Sequence, residues 1–202
     1  MVAHERKDVA DVLAILGSPR RRGNSDTLAF EFLRGAASCG HSHTVLVPAE
    51  LGIAPCDGRN RCFADGRCVI ADGMNGLYTR VLDASFLLIA TPVYFMGPPG
   101  SLKAFIDRFQ AVWARSAILG EFDADSPARR SGHKLFAIMV GATQKNPAMY
   151  RPTRSIIKAY CNVIGFEYAG EIIAPGLDKP DDALLQPDLM KAVFEAGRTF
   201  VS

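Results

Sequence analysis

Short, continuously apolar runs alternate along the chain with longer stretches whose apolar positions recur every three or four residues. Val12 to Leu16 (VLAIL), Ser85 to Thr91 (SFLLIAT) and Lys134 to Val140 (KLFAIMV) are runs of the first kind. Such runs are expected of strands buried on both faces of a parallel sheet. His43 to Val47 and Tyr168 to Ile173 complete a predicted set of five strands. The helical period occurs at Leu28, Phe32 and Leu33, and again at Leu102, Phe105, Ile106 and Phe109 within PPGSLKAFIDRF, where prolines precede the first turn and their missing N–H costs little. Helices are also predicted over Met74 to Leu82, Ala148 to Ile164 and Asp188 to Val201. Alternation of this kind, with no internal repeat, predicts an α/β fold: a doubly wound five-stranded parallel sheet with helices on both faces. Residues 1–202 are expected to form one domain, with 1–10 a flexible N-terminal extension. The stretch from Ala114 to Gly132 is longer than most connections and reads as an active-site flap or part of a subunit contact.

Composition narrows the function. With 49% hydrophobic and 22% charged residues, the 202-residue chain can bury a full core. A formal net charge of +2, with no aromatics interleaved on a basic face, argues against nucleic acid. No apolar run reaches a membrane span, and the polar start MVAHERKDVADV is not a secretory leader, so a cytoplasmic protein is expected. Five cysteines, an odd number, fit a reducing compartment. Cys39 and Cys161 fall in helical patterns and read as packed thiols, and the pair His41 and His43 lacks a third ligand and reads as solvated.

Candidate chemistry lies in the turns that follow the strands. After Val12 to Leu16 the sequence GSPRRRGNSDT breaks at Gly17 and Pro19 and opens a helix at Gly23, with Asn24 or Ser25 suited to cap it. A helix start carries free N–H groups and partial positive charge, so an anion fits there. Arg20 to Arg22 and the hydroxyls of Ser18, Ser25 and Thr27 would complete a cradle for a phosphate monoester; the same residues also suit an ordinary turn with a solvated basic patch. Two other phosphate loops fail on spacing. Arg22 stands where the mononucleotide loop needs glycine, and Pro19 stands where the dinucleotide fingerprint needs its second glycine. The loop TPVYFMGPPG offers aromatic and sulfur-bearing side chains with glycine and free N–H groups, suited to a flat polar-rimmed ring. Gly141, Ala142, Thr143 and Gln144 are small and polar and leave room for that ring. A phosphate at one end and a planar heterocycle at the other describe flavin mononucleotide.

Taken together, GSPRRRGNS, APCDGRNRCFADGRCVIADGM and TPVYFMGPPGSLKAFIDRF resemble the NADPH-dependent FMN reductase and iron-sulfur flavoprotein family, of flavodoxin-like fold. The resemblance implies that Ser18, Arg20, Asn24 and Ser25 hold the FMN phosphate. It implies that Pro92, Val93, Tyr94, Phe95, Met96 and Gly97 line the ring, and that Gly141, Ala142 and Thr143 close its other edge. NADPH or NADH is the implied electron donor. The iron-sulfur branch carries four cysteines as C-x2-C-x2-C-x5-C; here Cys56, Cys62 and Cys68 keep three places and Arg59 takes the second, so no four-cysteine cluster is expected. The leading reading is an FMN-dependent NAD(P)H oxidoreductase reducing a small acceptor such as free flavin or a quinone by ping-pong hydride transfer. An electron carrier and a non-catalytic flavin-binding protein stand as alternatives. No side chain is assigned a catalytic role, because hydride chemistry belongs to the cofactor. A homodimer or homotetramer is expected, with Trp113, the Ala114 to Gly132 stretch and the cysteine loop covering the open ring face.

Overall fold

A computed structural model describes residues 12–143 and 146–202; the expected N-terminal extension and Gln144 lie outside them. The strands are β1 (Val12–Leu16), β2 (His43–Leu46), β3 (Phe86–Pro92), β4 (Lys134–Gly141) and β5 (Glu167–Pro175). The helices are α1 (Asn24–Ala37), α2 (Cys62–Asp65), α3 (Leu77–Asp83), α4 (Gly100–Asp107), α5 (Gln110–Ala117), α6 (Pro127–Gly132), α7 (Arg151–Ile164) and α8 (Pro187–Phe200). All strand pairings are parallel, in the order β2-β1-β3-β4-β5. This is the doubly wound flavodoxin-like order, in which the chain switches direction across the sheet between β1 and β3 and leaves a crevice at their carboxyl ends.

The apolar runs are continuous because both sheet faces are covered. Leu13, Ile15, Leu87, Ile89, Leu135 and Ala137 point to one core, shared with α3, α4, α5 and α7. Their neighbours Val12, Ala14, Leu16, Leu88, Ala90, Phe136 and Ile138 point to the other, shared with α1 and α8. In α7 the buried residues Thr153, Ile157, Tyr160, Cys161 and Ile164 make a single stripe, and the helix stops at Gly165 in the left-handed conformation.

Three expectations are corrected. The stretch from Ala114 to Gly132 is not a bare connection: it starts inside α5, whose Ala111, Val112 and Ala114 are buried, and ends in α6. Cys39 is not packed in a helix. α1 ends at Ala37, and Cys39 is exposed in the turn that follows, whereas Cys161 is buried as expected. The cap of α1 is Gly23, with no side-chain cap bond, rather than Asn24 or Ser25.

The seat of α1 depends on two glycines. A Cβ on Gly35 would stand 2.1 Å from the Phe194 carbonyl oxygen, and one on Gly197 would stand 2.0 Å from that of Phe32. The α1 and α8 backbones therefore touch directly. Gly197→Ala is expected to destabilise the protein by about 1–3 kcal/mol through overpacking, read as a lower urea midpoint; an unchanged midpoint would contradict this helix contact.

Candidate functional site

The loops after β1, β3 and β4 leave one sheet edge on adjacent strands. Leu16 is in register with Ala90, and Pro92 with Val140. The Gly17 N–H donates to the Ala90 carbonyl, and Val93 N–H to that of Val140. A Cβ on Gly17 would meet Leu102 Cδ2 at 2.5 Å and Thr91 Oγ1 at 2.9 Å, so only glycine lets the first loop leave the sheet against the third.

Within the β1 loop the predicted residues divide by role. The Ser18 hydroxyl donates to the Arg20 carbonyl (2.8 Å) and accepts the Arg20 N–H (3.1 Å), folding the turn. The Thr27 hydroxyl donates back to the Gly23 carbonyl at 3.3 Å. Asn24 is a long-range tie: its amide donates to the Lys179 carbonyl (2.9 Å) and accepts the Ala183 N–H (3.1 Å), anchoring the helix start to the segment after β5. Ser25 is buried, and among the described residues its hydroxyl bonds nothing.

The arginines separate in the same way. Arg21 pairs with Asp26 (3.0 Å) and Glu50 (3.2 Å). Asp26 is buried and also accepts the Arg22 N–H at 2.7 Å; burial holds its carboxyl above the usual carboxylate range, and Arg22 N–H and Arg21 offset part of that. Arg21 is thus neutralised locally. Arg20 is exposed, has no ion pair among the described residues, and lies over the helix start, with Nε 3.4 Å from where a Gly23 Cβ would stand. The N–H groups of Asn24 and Ser25 lie in the first turn, where no intrahelical partner exists.

The β3 loop closes on itself. Tyr94 N–H donates to the Gly97 carbonyl (2.8 Å) and Gly97 N–H to that of Tyr94 (2.9 Å), with Phe95 (φ 47°) and Met96 (φ 69°) both left-handed at the tip. Two bulky residues in that region cost about 1–3 kcal/mol each. Thr153, fully buried at the start of α7, donates its hydroxyl to the Met96 carbonyl at 3.0 Å and holds the turn; sequence reading missed this residue. The turn projects Phe95 into solvent, 107% exposed, beside half-exposed Tyr94 and Met96. Val93 turns inward with Met139 and Tyr150. The free N–H groups expected here are fewer than anticipated, since Val93, Tyr94 and Gly97 donate within the fold and leave those of Phe95 and Met96. In the β4 loop a Cβ on Gly141 would stand 2.3 Å from Tyr150 Oη, so its smallness serves inner packing. Ala142 and Thr143 are exposed.

The segments flanking the cysteines are clamped by Arg108, whose side chain is fully buried. Its guanidinium donates to Ala54 O (2.9 Å), Ile70 O (3.0 Å) and Asp72 Oδ2 (2.6 Å). Asp72 also accepts the N–H groups of Ala54 and Met74. Burial opposes its charge, but Arg108 and the two amides outweigh it and hold the carboxyl below the usual range. Among the described residues no group of three or more His, Cys, Asp or Glu side chains is placed to hold a metal ion, and no helix is long and apolar enough to cross a membrane.

A family model described as NADPH-dependent FMN reductase matches residues 10–150. An iron-sulfur flavoprotein of Methanocaldococcus jannaschii is 34% identical over 97 residues, 48% of this chain and 50% of that protein. The chain spans about half the length of such curated relatives. A Bacillus subtilis protein, provisionally named an NAD(P)H-dependent FMN-containing oxidoreductase, is 26% identical over 182 residues, 90% of this chain and 93% of that one. Among solved structures, the NAD(P)H:quinone oxidoreductase of Methanothermobacter marburgensis superposes with a TM-score of 0.69 at 16% identity, covering 93% of this chain and 94% of that one. At that identity it establishes the fold alone.

The depressed Asp72 carboxyl contributes stability that is present above the ordinary carboxylate range and lost as pH falls through its lowered value. Urea unfolding over a pH series should show the wild type more stable than Asp72→Asn at neutral pH, with the gap closing on acidification. A gap independent of pH would contradict the pairing with Arg108.

Proposed function

The chain belongs to the NADPH-dependent FMN reductase family, and we propose that it is an FMN-dependent NAD(P)H oxidoreductase reducing a small acceptor, a free flavin or a quinone. One observation carries the reading: unpaired helix-start donors under Arg20 and a solvent-projecting aromatic turn share one edge of the sheet. The residues fit the cofactor. Gly23 leaves the helix start open to an anion, and the N–H groups of Asn24 and Ser25, the Ser25 hydroxyl and the Arg20 guanidinium would hold a phosphate monoester. Ser18, Thr27 and Asn24 shape that turn through their own hydrogen bonds. Tyr94, Phe95 and Met96 supply the platform for a planar ring, and Ala142 and Thr143 its far border.

When bound, FMN supplies the hydride and electron chemistry. The protein's part is orientation. Thr153 fixes the Tyr94 to Gly97 turn, and a rigid turn holds reacting atoms at a set stacking distance. No dinucleotide fingerprint is present, so the nicotinamide and then the acceptor would take turns on one open face. Trp113, 38% exposed, stands beside an apolar hollow lined by Ile106, Phe109, Ile156 and Val163; this supports a homodimer or homotetramer.

The electron-carrier reading draws on Cys56, Cys62 and Cys68 and on the iron-sulfur relatives. Arg59, at the place of the missing cysteine, is turned onto Asp57 (Nε to Oδ2, 2.7 Å), and a guanidinium cannot act as the fourth thiolate.

Steady-state rates with NADPH or NADH and a quinone should give parallel double-reciprocal lines. Intersecting lines would contradict alternating use of one face. A Cβ at Gly97 would meet only Tyr94 O, at 3.8 Å, so Gly97→Val should fold with an unchanged urea midpoint yet lose roughly ten- to hundredfold in turnover through ring misplacement. Full turnover in that variant would remove the loop from the site.

A further inference from the structure

The start of α1 carries an anion of its own. Asp26 is the third residue after the cap Gly23 and is 2% exposed. In a capping box the acid at this position reaches back to the N–H of the cap. The Asp26 carboxylate reaches one residue further and accepts the Arg22 N–H at 2.7 Å, which leaves the N–H groups of the first turn open. That bond holds Arg22 in the left-handed region, at φ 58°, which a non-glycine residue seldom adopts. It also sets the carboxylate beside the Gly23 backbone, over which Arg20 lies.

Resting on the FMN reading above, we propose that Asp26 is a specificity-determining residue of the flavin site: its carboxylate opposes the phosphate and keeps Arg21 from it. Arg21 has both acids within reach, Asp26 at 3.0 Å and Glu50, in the short turn Pro48–Glu50, at 3.2 Å. Of three consecutive arginines only Arg20 is then left for the phosphate. Arg21 gives its side chain to the two acids, and Arg22 gives its N–H to Asp26.

The carboxylate's charge is not what the turn requires. An amide at position 26 would accept the Arg22 N–H through its carbonyl oxygen and keep the same fold of residues 20–23. What the acid adds is a negative charge behind the phosphate donors. Burial already opposes that charge, and an anion bound at the same helix start opposes it again. By linkage the acid opposes the anion equally. The phosphate is therefore held by Arg20, the Ser25 hydroxyl and backbone donors alone, and the flavin is an exchangeable ligand.

The test titrates the whole protein, stripped of flavin, with FMN and with riboflavin at pH 8, above the carboxylate range. Asp26→Asn should bind FMN about tenfold tighter, the size of a neighbouring charge's effect on an ionised group. The gain should lie mainly in slower FMN release, with riboflavin affinity unchanged. Arg21→Ala leaves the carboxylate uncovered and should weaken FMN while leaving riboflavin unmoved; this arm decides the matter if Asp26→Asn does not fold. Loss of affinity for both ligands together in either folded variant would mark a merely structural role and overturn the proposal. A wild-type preference for FMN that neither variant alters would overturn the part given to Asp26 and leave the phosphate reading standing. Equal affinities for FMN and riboflavin in the wild type would remove that reading and the proposal with it.

Discussion

Everything at the candidate site depends on one close approach, where the chain leaves β1 at Gly17. Leu102 Cδ2 and Thr91 Oγ1 occupy the space that a side chain would need. Because nothing larger fits, the β1 turn lies directly on the start of the β3 loop, and the first turn of α1 opens at the same edge as the Tyr94 to Gly97 turn. The contact is supported from behind. α8 meets α1 through Gly35 and Gly197, and Asn24 ties the helix start to Lys179 and Ala183. The first turn of α1 and the Tyr94 to Gly97 turn are thus positioned by contacts with other elements.

How much of this could be read from the sequence follows from the range of the interactions. The strands were legible because burial on both faces leaves an uninterrupted apolar run, and β1 is buried at all five positions. The polar loop after β1 was legible as composition, but its division of labour was not. Asn24 has the chemistry of a cap, yet its partners lie 155 and 159 residues away, and no local rule reports such a tie. Arg21 looked equivalent to Arg20 until Asp26 and Glu50 were seen to take it. A two-residue turn with both residues left-handed normally announces itself as Asn-Gly or Asp-Gly. Here it is Phe95 and Met96, paid for by a Thr153 bond from another element. Cys39 was misplaced because the period of α1 runs on past the point where the backbone reverses at Gly40.

The cysteine segment shows the same separation of roles. Its hold on the fold comes from Arg108 and Asp72 rather than from its thiols. A segment secured in this way can lose one cysteine to Arg59 without losing its place, and its remaining thiols are left to their own chemistry.

The central claim is that the start of α1 is built for a phosphate monoester, and paired titrations of apoprotein with FMN and with riboflavin test it most directly. The two ligands share a ring and differ at the phosphate. Charge-assisted bonds of about 1.5 to 3 kcal/mol predict FMN binding roughly ten- to hundredfold tighter than riboflavin, with Arg20→Ala reducing that preference and leaving riboflavin affinity unchanged. Equal affinities for the two ligands, or a preference that survives Arg20→Ala intact, would contradict the account.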